Sequence, residues 1–304
     1  MRSPFCRPLR RALACVGLLA ACMVGAAAAE AGPPAQALLG TYQRLGPQLE
    51  HSSFGRPMLL DSTETADGLQ GDIHAVLDHS LAEVRAALTG PMHWCALLSL
   101  HVNNRRCRVG KAQQGGGEVL TLSVVRRYDM PVEDAFELPF VYRLVTATPD
   151  QLAVEMTAAS GPLGTSNYRV TLEAVALGRR KTFVHFGYAY EHNTVARVAT
   201  QAYLATLGSH KIGFTVVGTE ADAQPRYIAG LRGLVERNAV RYFLALDAYL
   251  AGTAGPAPEQ FERRLTHWYA SIDKYPRQLR EFDRATYFEL KRADRQRDAA
   301  GVSR

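Results

Sequence analysis

The chain has 304 residues, 47% hydrophobic and 21% charged, with a formal net charge of +6. That balance supports a sizeable core and excludes a disordered, collagen-like or polytopic membrane protein. It contains no nucleophile elbow, Walker loop, dinucleotide fingerprint or His-Glu-x-x-His helix, so no motif names a reaction.

Residues 1–29 carry Arg2, Arg7, Arg10 and Arg11 ahead of an apolar stretch that ends in Ala27-Ala28-Ala29. This is the pattern of a bacterial secretory signal, with cleavage expected after Ala29 and a periplasmic or secreted product. A second reading takes Leu19-Ala20-Ala21-Cys22 as a lipobox, giving an outer-membrane lipoprotein through Cys22. A spanning anchor fits less well, because Ala and Gly dilute the apolar stretch. Loss of the four signal arginines leaves 31 basic against 29 acidic residues, and no nucleic acid is expected as a partner. Two basic runs remain, Arg105, Arg106, Arg108 and Lys111, and the stretch from Lys291 to Arg304. Both read as solvated surface charge, with peripheral contact to anionic membrane headgroups as the alternative.

Cleavage also removes Cys6, Cys15 and Cys22. Cys95 and Cys107 then form an even pair in an oxidising compartment, which predicts a disulfide across a short loop turning at Asn103-Asn104. The histidines are scattered and His74 and His79 form no recognised ligand spacing, so neither a metal nor a cofactor is expected.

After a tether at Gly32 to Pro34, the apolar spacing from Ala35 to Leu49 predicts a helix. Asp67-Gly68 marks a hairpin whose second strand runs from Leu69 to Asp78. Ser80 and Glu83 then form a capping box before Leu81, Val84 and Leu88, and that helix stops before Gly90-Pro91. From Gly117 to Tyr190 the apolar period becomes two, in five runs that predict an antiparallel meander with one apolar face. A helix over Thr194 to Leu207, a last strand over Ile212 to Val217 and a long helix opened by Pro225 follow. Gly252 to Pro258 reads as a linker. Beyond it lie an amphipathic helix around Trp268 and, after Pro276, a charged one.

Residues Ile73 to Val84, followed by Leu88, Pro91 and Trp94, with the meander and the long helix, resemble the START and polyketide-cyclase-like (SRPBCC, helix-grip) superfamily. Gly161 to Thr165, Tyr203 to Thr206 and Lys211 to Thr215 are also similar to exported proteobacterial proteins of unknown function, which supplies no mechanism. The superfamily implies an α+β fold: a curved antiparallel sheet gripping a long C-terminal helix, with an apolar cavity between them for lipids or other hydrophobic molecules. Extra N- and C-terminal helices flank it. The expected organisation is a signal over 1–29, an N-terminal helix and lead-in over 30–58, the helix-grip domain over 59–251 and a helical extension over 252–304.

The leading functional expectation is a non-enzymatic envelope protein that binds a hydrophobic small molecule or lipid, with Tyr142, Met156, Phe186, Tyr188 and Tyr242 on the cavity wall. No catalytic residue is assigned. A cyclase- or hydrolase-type enzyme would need acid and base groups facing the cavity, whereas strand parity puts His74, Arg169, Glu173 and His185 on the opposite, solvent-facing side. A structural or partner-binding envelope protein is the third reading, resting on the two C-terminal helices.

Overall fold

Alternating burial runs along residues 68–77, 137–143 and 167–174, because successive side chains point to opposite sides of a pleated sheet. The computed structural model describes residues 33–112, 117–206 and 208–302. The signal and lipobox readings of residues 1–29 lie outside them. Helix α1 (Pro33–Glu50) precedes the strands β1 (Met58–Glu64) and β2 (Gly68–Leu77), then α2 (Leu81–Leu88) and α3 (Pro91–Leu98). Six strands follow: β3 (Asn104–Lys111), β4 (Glu118–Val124), β5 (Phe136–Ala147), β6 (Gln151–Ser160), β7 (Thr165–Leu177) and β8 (Lys181–His192). After α4 (Thr194–Ala205), a ribbon of β9 (Val216–Thr219) and β10 (Pro225–Tyr227) leads to the long α5 (Gly230–Ala251), then α6 (Ala257–Asp273) and α7 (Arg284–Val302).

The first eight strands form one antiparallel sheet in the order β1-β2-β8-β7-β6-β5-β4-β3. Helix α5 lies in its curve against β1, β2 and β8. Gly71 permits that approach: a Cβ there would stand 2.9 Å from the Ala239 Cβ. Helix α2 carries the predicted capping box, with the Ser80 hydroxyl accepting from the Glu83 amide and Glu83 accepting from the Ser80 amide at 2.7 Å. Helix α1 covers part of the opposite, convex face, where Leu38 and Leu49 pack with Val175 and Phe183.

Several boundaries differ from the sequence reading. Helix α1 already includes Pro33 and Pro34, because proline is tolerated in a first turn whose amides have no partner anyway. Pro225 does not open the long helix. It pairs with Thr219 in the small ribbon, and Gly230, at φ +70°, makes the left-handed step from which α5 starts. The expected last strand shrinks to Val216–Thr219 and joins that ribbon rather than the main sheet. Helix α5 has no single apolar stripe; it is buried nearly all round, since the sheet lies on one side and α6 on another.

The Cys95–Cys107 disulfide is present, with Cα atoms 5.4 Å apart. It ties α3 to β3, two regular elements where a loop was expected. The basic run on β3 is only partly solvated charge: Arg105 is buried against Asp294 and Arg106 pairs with Asp298, whereas Arg108, paired with Glu137, and Lys111 are exposed. It docks α7, whose own Lys291 is buried and donates to the carbonyls of His101 and Asn104. Among the described residues, no helix is long and apolar enough to cross a membrane.

Candidate functional site

The concave face is built by strand register. Tyr142 pairs with Met156, Met156 with Val170, Val170 with Tyr188 and Tyr188 with Gly71, so these side chains form one row across the sheet. Phe186 sits in the adjacent row, between Leu172 and Ile73. Met156 and Phe186 are fully buried, and Tyr142 and Tyr188 nearly so. From α5, Tyr242 brings its ring to 5.3 Å from Tyr188. The four strand residues therefore share the concave side, Tyr188 and Phe186 on the strand that α5 contacts, Tyr142 and Met156 on strands farther from it.

Four further side chains belong to this region. Tyr168 and Tyr190 stack with centroids 5.2 Å apart, and both approach Tyr188. Asn238, one turn before Tyr242, hydrogen-bonds the Tyr188 hydroxyl. His101 stacks on Tyr242 at 4.9 Å. Tyr168 and Tyr190 were readable from strand alternation. His101 was not, because it lies in the irregular turn between α3 and β3, and nothing local ties it to a residue more than a hundred positions away.

Burial raises the hydroxyl pKa of Tyr190 well above its ordinary value and that of Tyr242 to about 12, so both remain neutral donors near pH 7. The Tyr142 hydroxyl accepts from the Gly90 amide at 2.9 Å, which fixes its ring beneath the junction of α2 and α3 rather than beneath α5. Burial, aided by the charges of Arg241 and Lys291, pushes His101 well below the usual imidazole range, so its ring is neutral. Its Nδ1 lies 3.2 Å from the Asn103 amide, whose N–H makes it an acceptor. The proton of the neutral ring then resides on Nε2, which has no partner among the described residues.

A second polar region lies where the concave face meets the surface. Arg237 and Arg241 on α5, both buried, and Lys211 from the loop before β9 converge on the Oε1 atom of Glu281. Burial raises the Glu281 pKa, but Arg241, Arg237 and Lys211 outweigh it and hold the carboxyl far below the usual range. Lys211 and Glu281 also line a surface cleft of about 620 Å³, together with Arg127, Tyr203, Arg280 and Phe282.

The convex face has the opposite chemistry. His185 places Nε2 2.8 Å from Asp72 and Nδ1 3.1 Å from Glu173, while His74 stacks on it at 4.6 Å. This group lies on the side away from α5, as strand parity indicated for His74, Glu173 and His185; Arg169 is also on that side and exposed. Among the described residues, no group of three or more His, Cys, Asp or Glu is arranged to hold a metal ion.

The sheet order, the helix pair after β2 and the helix seated in the curve define a helix-grip α+β fold. No model of a known protein family matches the chain, and no curated protein does. Among solved structures, it is similar to a truncated norcoclaurine synthase from Thalictrum flavum, with 17% identity, 48% of this chain and 92% of that one covered, and a TM-score of 0.32. It is also similar to a START superfamily protein from Mycobacterium smegmatis, with 12% identity, coverage of 47% and 93%, and a TM-score of 0.31. Ara h 8.0201 matches with 8% identity, coverage of 61% and 99%, and a TM-score of 0.35. No ligand or reaction is carried over from them.

Proposed function

We propose that this is an exported, non-enzymatic protein of the bacterial envelope that binds a hydrophobic or lipid-like molecule between its sheet and α5. The observation that carries the reading is Tyr242. Its ring lies deep in the interior, where burial dominates its hydroxyl, yet it remains only half-buried. Its neighbour Asn238 is half-buried as well. An interior side chain that keeps accessible surface borders a space rather than packed atoms. The surrounding wall is hydrocarbon and tyrosine, which suits an amphipathic guest: the rings cover alkyl chain while the hydroxyls pair with polar atoms.

The same wall argues against an acid–base enzyme. Asp72 and Glu173 are held by His185 on the convex side, and Glu236, buried on α5, accepts from Ser62, Phe214 and Thr215. His101, the ionisable ring beside Tyr242, is depressed by burial and by neighbouring cations, which makes it a poor proton acceptor. The helices that motivated a partner-binding role turn much of their polar chemistry inward, onto β3 and α5.

The test compares thermal midpoints and the uptake of fluorescent fatty-acid or sterol probes for wild type, Tyr142→Ala and Tyr188→Ala. Binding residues lose uptake more than stability, whereas solid core loses several kcal/mol of stability first, about 3–5 kcal/mol for a large aromatic. Wild-type protein that takes up no probe and carries no lipid from cells removes the reading. N-terminal sequencing of the exported protein should start at Glu30; an acylated peptide starting at Cys22 would establish the lipoprotein form instead.

A further inference from the structure

The donors at the rim of the concave face outnumber their acceptors. Arg237 and Arg241 are one helical turn apart on α5, with side chains only 3% and 5% exposed. Their shared carboxylate is Glu281, which receives Arg237 Nη2, Arg241 Nη2 at 3.1 Å and Lys211 Nζ at 3.3 Å, all on one oxygen. Arg241 finds one more acceptor, the Leu279 carbonyl at 2.9 Å. The Nε groups of both arginines have no acceptor among the described residues, and neither does His101 Nε2. Three cations thus share one anion in a desolvated place, and buried donors left unpaired carry a real free-energy cost.

Position ties this cluster to both a surface cleft and the tyrosines of the interior. Glu281 keeps a fifth of its side chain exposed and, with Lys211, borders the surface cleft. On the inner side, Arg241 acts electrostatically on both Tyr242 and His101, whose rings are stacked together. The cluster therefore lies between the cleft, bordered by Lys211 and Glu281, and Tyr242, the residue that follows Arg241 on α5.

We infer that the guest is an amphipathic anion, a fatty-acid-like carboxylate in the simplest case, whose head group is held by Arg237, Arg241 and Lys211 while its tail lies along the tyrosine row. This deepens the binding reading above and rests on it. A carboxylate supplies both the missing acceptors and the missing negative charge. A neutral hydroxyl supplies an acceptor only. Glu281 occupies the same cations in the free protein, so it competes with the head group as an internal counter-ion.

The experiment is calorimetric titration of the full exported chain, stripped of lipid, with laurate and with 1-dodecanol near neutral pH. Laurate is expected to bind at least about tenfold tighter than the alcohol. In Glu281→Gln, laurate should tighten by about tenfold and the alcohol should be unchanged. Because loss of Glu281 also leaves buried cations uncompensated, thermal midpoints of this variant are read with and without laurate, and laurate should raise them more than in wild type. Should that variant fail to fold, Lys211→Met provides the opposite sign, weakening laurate but not the alcohol. Equal affinity for acid and alcohol would overturn the head-group assignment and leave the binding reading standing. Binding of neither compound, with no lipid recovered from cells, would remove both.

Discussion

Two buried ionic regions flank the long helix, and they share a charge ratio but not a consequence. At the docking seam of α7, Arg105, Lys291 and Arg297 converge on Asp294, three cations on one carboxylate. At the rim of the concave face, three cations converge on Glu281 in the same way. The seam differs in what else its donors meet. Arg105 donates to the carbonyls of Tyr128 and Met130, and Lys291 to those of His101 and Asn104; of the three seam cations, Arg297 alone leaves a buried donor unpaired, its Nη1. The rim leaves two guanidinium Nε groups without acceptors and opens on a cleft. What separates the two is place: Lys211 and Glu281 border a surface cleft, whereas the seam lies between α7 and β3.

The sharpest way to break this contrast is Asp294→Ala. It strands Arg105 and Lys291 in a closed interior, and urea unfolding should show a loss of about 3–5 kcal/mol that laurate does not restore. Glu281→Gln should cost less than Asp294→Ala, because Lys211 can turn to the cleft. Equal losses from the two, both indifferent to laurate, would make the regions alike. Removing both Cys95 and Cys107 comes next, at about 2–4 kcal/mol. Cys107 lies between Arg106 and Arg108 on the strand that docks α7, so hydrogen exchange should accelerate in α7 more than in α5.

Gly71→Ala probes the rim from beneath. The added methyl would meet Ala239 at 2.9 Å and push α5 from β2, at a cost of about 1–3 kcal/mol in urea unfolding, and weaken laurate binding by moving Arg237 and Arg241. The smallest effect is expected at a third cation, His185, which is fully paired and partly exposed. Burial lowers its pKa, but the hydrogen bonds to Asp72 and Glu173 outweigh this and raise it to about 9. The folded state thus binds the proton more tightly than the unfolded chain. Its contribution is complete below about pH 6.5 and is lost as pH rises through about 9, a difference of about 1–2 kcal/mol after allowance for exposure. Stability against pH for wild type and His185→Gln should diverge below that window and converge above it; parallel curves would refute the paired imidazolium.

Legibility followed the range of the interactions involved. The meander was readable because a period of two is imposed by the strand itself, and Tyr142, Met156, Phe186 and Tyr188 could be placed on one face without knowing any partner. The capping box at Ser80 is a four-residue signal and was equally plain. By contrast, β3 was hidden by its composition. Asn104, Arg105, Arg106 and Arg108 look like a solvated loop until Asp294, Asp298 and Glu137 are brought to them from distant parts of the chain. The start of α5 was misplaced for a related reason. Pro225 suits a helix N-terminus locally, but pairing with Thr219 prevailed and the helix waited for Gly230.

The amino-acid sequence by itself determined the strands, the capped helix, the cysteine pair and the apolar character of one sheet face, since each depends on the spacing of neighbours along the chain. Only the tertiary structure decided which charges are buried. Arg105, Arg237, Arg241 and Lys291 are indistinguishable in sequence from surface residues. The desolvation of an ion is set by everything packed around it, and its partners here lie as far as 190 residues away.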